Sequence, residues 1–257
     1  MRRPVALACC IAISFMMNAT HAGTVRAKER KTMSAAAEEV VDVNRIFPDP
    51  GVARLADAAA RGDRREIAER APSVDLSATG DDGVTLLQWA LFNKSADGLE
   101  ALLEAGANPN QPGLDGDTVV HLAAMANDES YLKILLAKGA DPNAPHGETG
   151  ATPLRAAMMG ERAEQFRALL AAGADPNRAD RMGNTPLHVA GQINEPARAL
   201  DLLQAGADPM AKNLQGATFQ RYLFMTRADL LNAETRKDRE AVQAWLTEHG
   251  IAPEAPR

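Results

Sequence analysis

The sequence predicts an all-α solenoid of stacked helix-turn-helix units joined by β-hairpin turns and capped at both ends. Two interleaved phrases predict it. The first is Gly83-Val84-Thr85-Leu86, repeated at Gly116-Asp117-Thr118, Gly150-Ala151-Thr152-Pro153, Gly183-Asn184-Thr185-Pro186 and Gly216-Ala217-Thr218. Its threonines step by 33, 34, 33 and 33 residues. The second, Gly106-Ala107-Asn108-Pro109, keeps the same rhythm at Gly139, Gly173 and Gly206. Composition agrees: 46% of the chain is apolar but only 4% aromatic, which suits thin layers of closely packed Ala- and Leu-rich helices better than one large core.

Each element follows from its residues. Glycine two positions before the threonine permits the positive φ of a tight turn at a hairpin tip. The threonine then caps a helix, and Pro153 or Pro186 fits the first helical position, where its missing N–H costs nothing. A small-residue inner helix follows, as in His188-Val189-Ala190. A second, outer helix carries the pairs Leu102-Leu103, Leu135-Leu136, Leu169-Leu170 and Leu202-Leu203. Gly106, Gly139, Gly173 and Gly206 end that helix, and an Asp/Asn-Pro phrase leads into the next turn. No such unit buries its apolar face alone; a stack does.

The period together with the Thr185-Pro186-Leu187-His188 phrase resembles the ankyrin-repeat family. On that resemblance, four full repeats cover 81–213. A degenerate N-terminal cap repeat covers 45–80, where Leu55–Asp63 reads as a first helix and Ile67–Arg70 as a second. A C-terminal cap repeat covers 214–251. From Gly206 to Gly250 the spacing is 44 residues instead of 33, so about eleven are inserted near Thr226–Arg239, as a lid over the solenoid end or as a partner contact.

The ends read differently. Residues 1–22 look like a secretory signal: Arg2 and Arg3, then 13 residues from Val5 to Met17 that are apolar except for Ser14, then a cleavage site at Thr20-His21-Ala22. Residues 23–44 read as a flexible leader and 252–257 as a disordered tail. Both cysteines, Cys9 and Cys10, fall inside the signal, so the exported chain is expected to have no thiol, disulfide or cysteine metal site. Losing Arg2 and Arg3 leaves 26 basic against 34 acidic residues, a net charge of −8. That balance argues against nucleic acid and anionic membrane as partners.

Little in the sequence suggests catalysis. His121 and His188 hold the histidine slot of the repeat phrase, where the resemblance implies a bond to the neighbouring hairpin; Gln88, Arg155 and Arg221 fill it elsewhere. His146 and His249 have no zinc-ligand spacing. The acids at the tips have neither the pairing of a glycosidase nor the alternation of a calcium loop. Nucleophile-elbow, Walker and dinucleotide glycine patterns are missing. The expectation is a protein that is not an enzyme, needs no cofactor or metal, and is a monomer when free.

The expected site is therefore a partner-binding surface on the concave groove and hairpin tips. Seven residues after each cap threonine stand Phe92, Met125, Met159, Gln192 and Met225. The resemblance places that position at the groove end of the inner helix, although packing against the next inner helix would account for it equally. Asn93 adjoins the stripe, and Asp82, Asp115, Asp117 and Arg181 mark the tips. Exported bacterial proteins of this family imply two roles. One is an immunity protein in the periplasm that neutralises a toxin, for example a type VI secretion effector such as a phospholipase. The other is a periplasmic scaffold supporting a stress-defence enzyme such as a catalase. Secretion beyond the periplasm is the alternative localisation.

Overall fold

The computed structural model describes residues 42–252 and Glu254. The signal 1–22, leader residues 23–41, and 253 and 255–257 of the tail lie outside the described residues. The chain divides into two compact units, Met1–Ala140 and Asp141–Arg257. Described residues in both are helical, and their tips are closed by single backbone hydrogen bonds rather than β-ladders. One isolated antiparallel bridge, Thr79 to Thr85, is all that remains of strand pairing among the described residues.

The N-terminal unit opens earlier than its sequence suggests. Asp42 caps a one-turn helix α1 (Val43–Ile46) by accepting from the Asn44 N–H at 3.0 Å, and Ile46 and Phe47 are fully buried. Residues 42–44 therefore belong to the folded cap and not to the leader. Helix α2 (Pro50–Arg61) starts on Asp49, whose carboxylate accepts from Gly51 and Val52, and stops at left-handed Gly62. Then come α3 (Arg64–Arg70), α4 (Leu86–Phe92), α5 (Ala96–Glu104), α6 (Val119–Met125) and α7 (Ser130–Ala137). Leu55, Leu91, Leu99, Leu102, Leu132 and Leu135 are wholly inaccessible and form the layers between helix pairs. Of each leucine pair here, the first residue is buried and the second lies half outside.

Two details fix the spacing of these layers. Gly98 sits inside α5 although glycine disfavours helix, because a β-carbon there would lie 1.9 Å from the Ala59 carbonyl oxygen of α2. On the outer face Arg64 reaches Glu100 at 2.9 Å and Glu104 at 2.7 Å, while Lys138 pairs with Glu104 at 2.9 Å and Glu100 at 3.3 Å. One ion-pair network so joins three successive outer helices.

The C-terminal unit contains α8 (Pro153–Met159), α9 (Ala163–Ala171), α10 (Pro186–Gln192), α11 (Pro196–Gln204), α12 (Phe219–Leu223) and α13 (Ala233–Glu248). Its core is Leu154, Ala157, Phe166, Leu169, Ala190, Leu202, Phe219 and Val242. Asparagines stitch successive turns: Asn143 accepts from the Asp175 N–H at 2.7 Å and donates to the Gly173 carbonyl, and Asn177 does the same for Asp208 and Gly206.

The inserted residues are folded back on the last repeat. They form a short 3-10 turn (Ala228–Leu230) and the first turns of α13, which runs 16 residues where other outer helices of this unit run 9. Arg239 donates to the carbonyl of Leu223 at the end of α12 and to that of Thr226 just beyond it, and its guanidinium lies 5.3 Å from the Phe224 ring. The tail is also partly engaged. Glu254 bonds to Thr218 and Arg221, so disorder does not describe all of 252–257.

Candidate protein-binding surface

Every repeat presents a tip and an inner helix whose mutual geometry is set by the cap threonine. Thr85, Thr118, Thr152, Thr185 and Thr218 all stand at helix N-caps. The residue three places on locks the turn when its chemistry allows. Gln88 accepts from the Thr85 N–H at 3.0 Å and donates to the Asp117 carbonyl at 2.9 Å. The His188 Nδ1 faces the Thr185 N–H (3.2 Å) and hydroxyl (2.9 Å), and its Nε2 lies 2.9 Å from the Ala217 carbonyl. That arrangement calls for a neutral ring with the proton on Nε2. His121 pairs with Thr118 in the same manner.

In the N-terminal unit the tips are acidic. The Gly80 N–H donates to Val84 and the Gly113 N–H to Asp117, each at 2.8 Å. Asp82 and Asp115 take the left-handed conformation, at φ 56° and 53°, with Gly83 and Gly116 following at positive φ. Asp81, Asp82 and Asp115 are exposed; Asp117 is half-buried. Behind the tips Phe92 and Met125 are half-buried, while Asn93 is exposed and ties down its own helix by donating to the Trp89 carbonyl at 2.8 Å.

The C-terminal unit carries the apolar surface. Met159 is 54% exposed and Met225 76%, and Gln192 between them in the repeat series is also exposed. Position by position, the residues at 159 and 225 face solvent, whereas those at 92 and 125 are half packed. Two further apolar side chains stand on the tips, Met182 at 49% and Leu214 at 72% exposed, and the Leu214 N–H donates to the Met182 carbonyl at 3.0 Å. Sequence reasoning missed both by choosing only charged residues at the tips, among them Arg181 next to Met182. The available signal was an apolar residue inside a turn that has nothing to cover it.

A polar lattice holds these side chains in place. Asp180 accepts from the Met182 and Asn184 N–H groups, and Arg155 approaches its carboxylate at 3.4 Å. Asn213 donates to Asn184 at 2.9 Å and to the Tyr222 hydroxyl at 2.8 Å, and Gln192 donates to Asn184 at 3.2 Å. Arg181 is exposed but anchored, its N–H on the Thr149 carbonyl and its guanidinium on that of Gly147. What this geometry offers is a preorganised, partly apolar contact face. Among the described residues no group of three or more His, Cys, Asp or Glu is placed to hold a metal ion, and no helix is long and apolar enough to cross a membrane.

Comparison with known proteins agrees with the repeat architecture. A family model described as ankyrin repeats (3 copies) matches residues 55–146 and 120–213, more than half of the chain. The chain belongs to the ankyrin-repeat family, whose fold is typically a non-enzymatic scaffold for protein–protein interaction. It is 51% identical over 140 residues to Protein PhlB of Serratia liquefaciens, a stretch covering 54% of this chain. The match spans 62% of that relative, less than two thirds of its length. Among solved structures the crystal structure of EF0377, an ankyrin-repeat protein, aligns with a TM-score of 0.60 at 20% identity over 74% of this chain and 96% of that one. At that identity the likeness concerns the fold alone.

Proposed function

We propose that this chain is an exported, periplasmic binding protein that neutralises one partner by stoichiometric contact, as an immunity protein does for a toxin such as a type VI phospholipase effector. The observation carrying the reading is the exposed set Met159, Met182, Leu214 and Met225 on a hydrogen-bonded frame. Flexible thioethers and an aliphatic tip provide contact area that adapts to a partner, while the frame limits the entropy lost on binding. Inhibition by occlusion needs no reacting group. A signal-like N-terminus supports export to the compartment where an injected toxin would act, and the net negative charge suits a basic partner face.

The test uses cells lacking the protein, challenged by a toxin-bearing competitor, and complemented with the natural chain or with a Met182→Glu, Leu214→Glu variant. Killing of the deletion strain, rescue by the natural chain and failure of the variant are expected. Undiminished survival of the deletion strain would sink the neutralising role. Co-purification of a resident enzyme such as a catalase, lost in the same variant, would replace it with a scaffold.

A further inference from the structure

In three repeats the residue three places after the cap threonine reaches forward into the hairpin of the next repeat. Gln88 does so through the Asp117 carbonyl and His188 through that of Ala217. Arg155 makes the same reach as an ion pair, to the carboxylate of Asp180 that opens the next hairpin. In the last repeat the slot holds Arg221, and among the described residues no hairpin follows to give it a partner.

The tail supplies one. Glu254 comes back 36 residues beyond Thr218 and sets its carboxylate in the corner. Oε2 accepts from the Thr218 N–H at 3.0 Å and from its hydroxyl at 2.5 Å, and Oε1 accepts from Arg221 at 2.7 Å. Gln220 completes the grip on the main chain, accepting from the Glu254 N–H at 3.2 Å and donating to the Ala252 carbonyl at 3.4 Å. The Glu254 side chain is only 19% exposed. Its carboxyl is held below the ordinary range: burial pushes it up, and the bonds from Thr218 and Arg221 more than offset this.

We propose that Ala252 and Glu254 make a strap that does for this corner what the next hairpin does in the earlier repeats. The Thr218–Gln220–Arg221 corner is then a receptor for a glutamate carried on an extended peptide, and Glu254 occupies it in cis. The pairing of Arg155 with Asp180 shows the same chemistry made by a true hairpin, and the two main-chain contacts to Gln220 make the corner specific for a peptide, not for a free carboxylate alone.

Hydrogen exchange at the Thr218 amide reads the proposal directly. In the full chain Glu254→Ala should speed that exchange about tenfold or more, the factor one charge-assisted bond is worth, and Glu254→Gln should speed it less. A synthetic peptide of residues 251–257, supplied at millimolar level to replace the local concentration of the tethered tail, should slow it again in Glu254→Ala. The same peptide with glutamine in place of glutamate should not, and Arg221→Ala should abolish the rescue. Unchanged exchange in both Glu254 variants, or equal behaviour of the two peptides, overturns the proposal.

Discussion

The His188 Nε2 lies 2.9 Å from the carbonyl oxygen of Ala217, 29 residues further along the chain. A single imidazole, buried in the C-terminal unit, thereby joins the cap of one helix to the hairpin of the following repeat. Removing it leaves the Thr185 N–H without its ring partner and takes from the Ala217 carbonyl one of two donors, the Asn213 N–H being the other, in a place water does not reach. His188→Ala should cost about 3 kcal/mol, one cavity and two lost buried bonds. His188→Gln should cost about 1 kcal/mol, because Gln88 performs the same double task in its own repeat. Urea denaturation of the two variants checks the difference; equal losses would mean that the ring contributes only volume.

Met182 and Leu214 contribute side chains to the surface but only backbone to the fold. Their replacement by glutamate should change stability by no more than about 0.5 kcal/mol while abolishing partner capture. Chemical denaturation and a pull-down against the partner, run on the same preparations, separate the two effects. Loss of stability in step with loss of binding would contradict the assignment.

Acid should loosen the N-terminal unit. Glu66 is held below the ordinary value of 4.5 by hydrogen bonds from Arg61 and then Arg70, Glu100 by Arg64 and then Lys138, and Glu104 by Lys138. A carboxylate depressed in the folded state stabilises fully above its unfolded value and loses that contribution as pH falls through the folded one. The stabilisation is therefore complete above about pH 4.5 and declines below it, and salt should shrink the effect because these pairs are solvent-facing. Exchange rates of the α3 and α5 amides followed from neutral to acid pH test this, and Arg64→Ala should flatten the curve.

Gly98→Ala should destabilise the N-terminal unit by about 1–3 kcal/mol, although alanine favours helix. The added carbon would meet the Ala59 carbonyl, so α5 must back away from α2. Thermal unfolding measures it. A neutral or stabilising result would show that this helix contact has room to slide.

The repeat was legible in the sequence because each of its signals acts within a few residues. A threonine before a helix, a glycine in a turn and a glycine after a helix each answer a local backbone demand. The buried leucines follow from periodicity for the same reason. What escaped had no local signature. Glu254 sits in an Ala-Pro-Glu-Ala-Pro run whose composition reads as disordered, and its partners lie more than thirty residues away. The place of residues 42–44 in the fold was hidden by a polar, alanine-rich approach, though the nearby Ile46 and Phe47 marked a buried anchor. The candidate surface was half legible. The helix-end stripe gave Met159 and Met225, while the tips gave charged residues in place of Met182 and Leu214. Distinguishing them needs the solvent exposure of a turn, which spacing does not contain.

The tips carrying Met182 and Leu214 are closed by main-chain bonds, from the Asp180 N–H to Asn184 and from the Asn213 N–H to Ala217, with the Asp180 and Asn213 side chains bracing the loop from within. Outward-pointing positions are spectators to that bracing. A lineage can therefore rewrite its contact residues one at a time without passing through an unfolded intermediate sequence. A repeat protein braced in this way keeps its skeleton fixed while its fingertips vary.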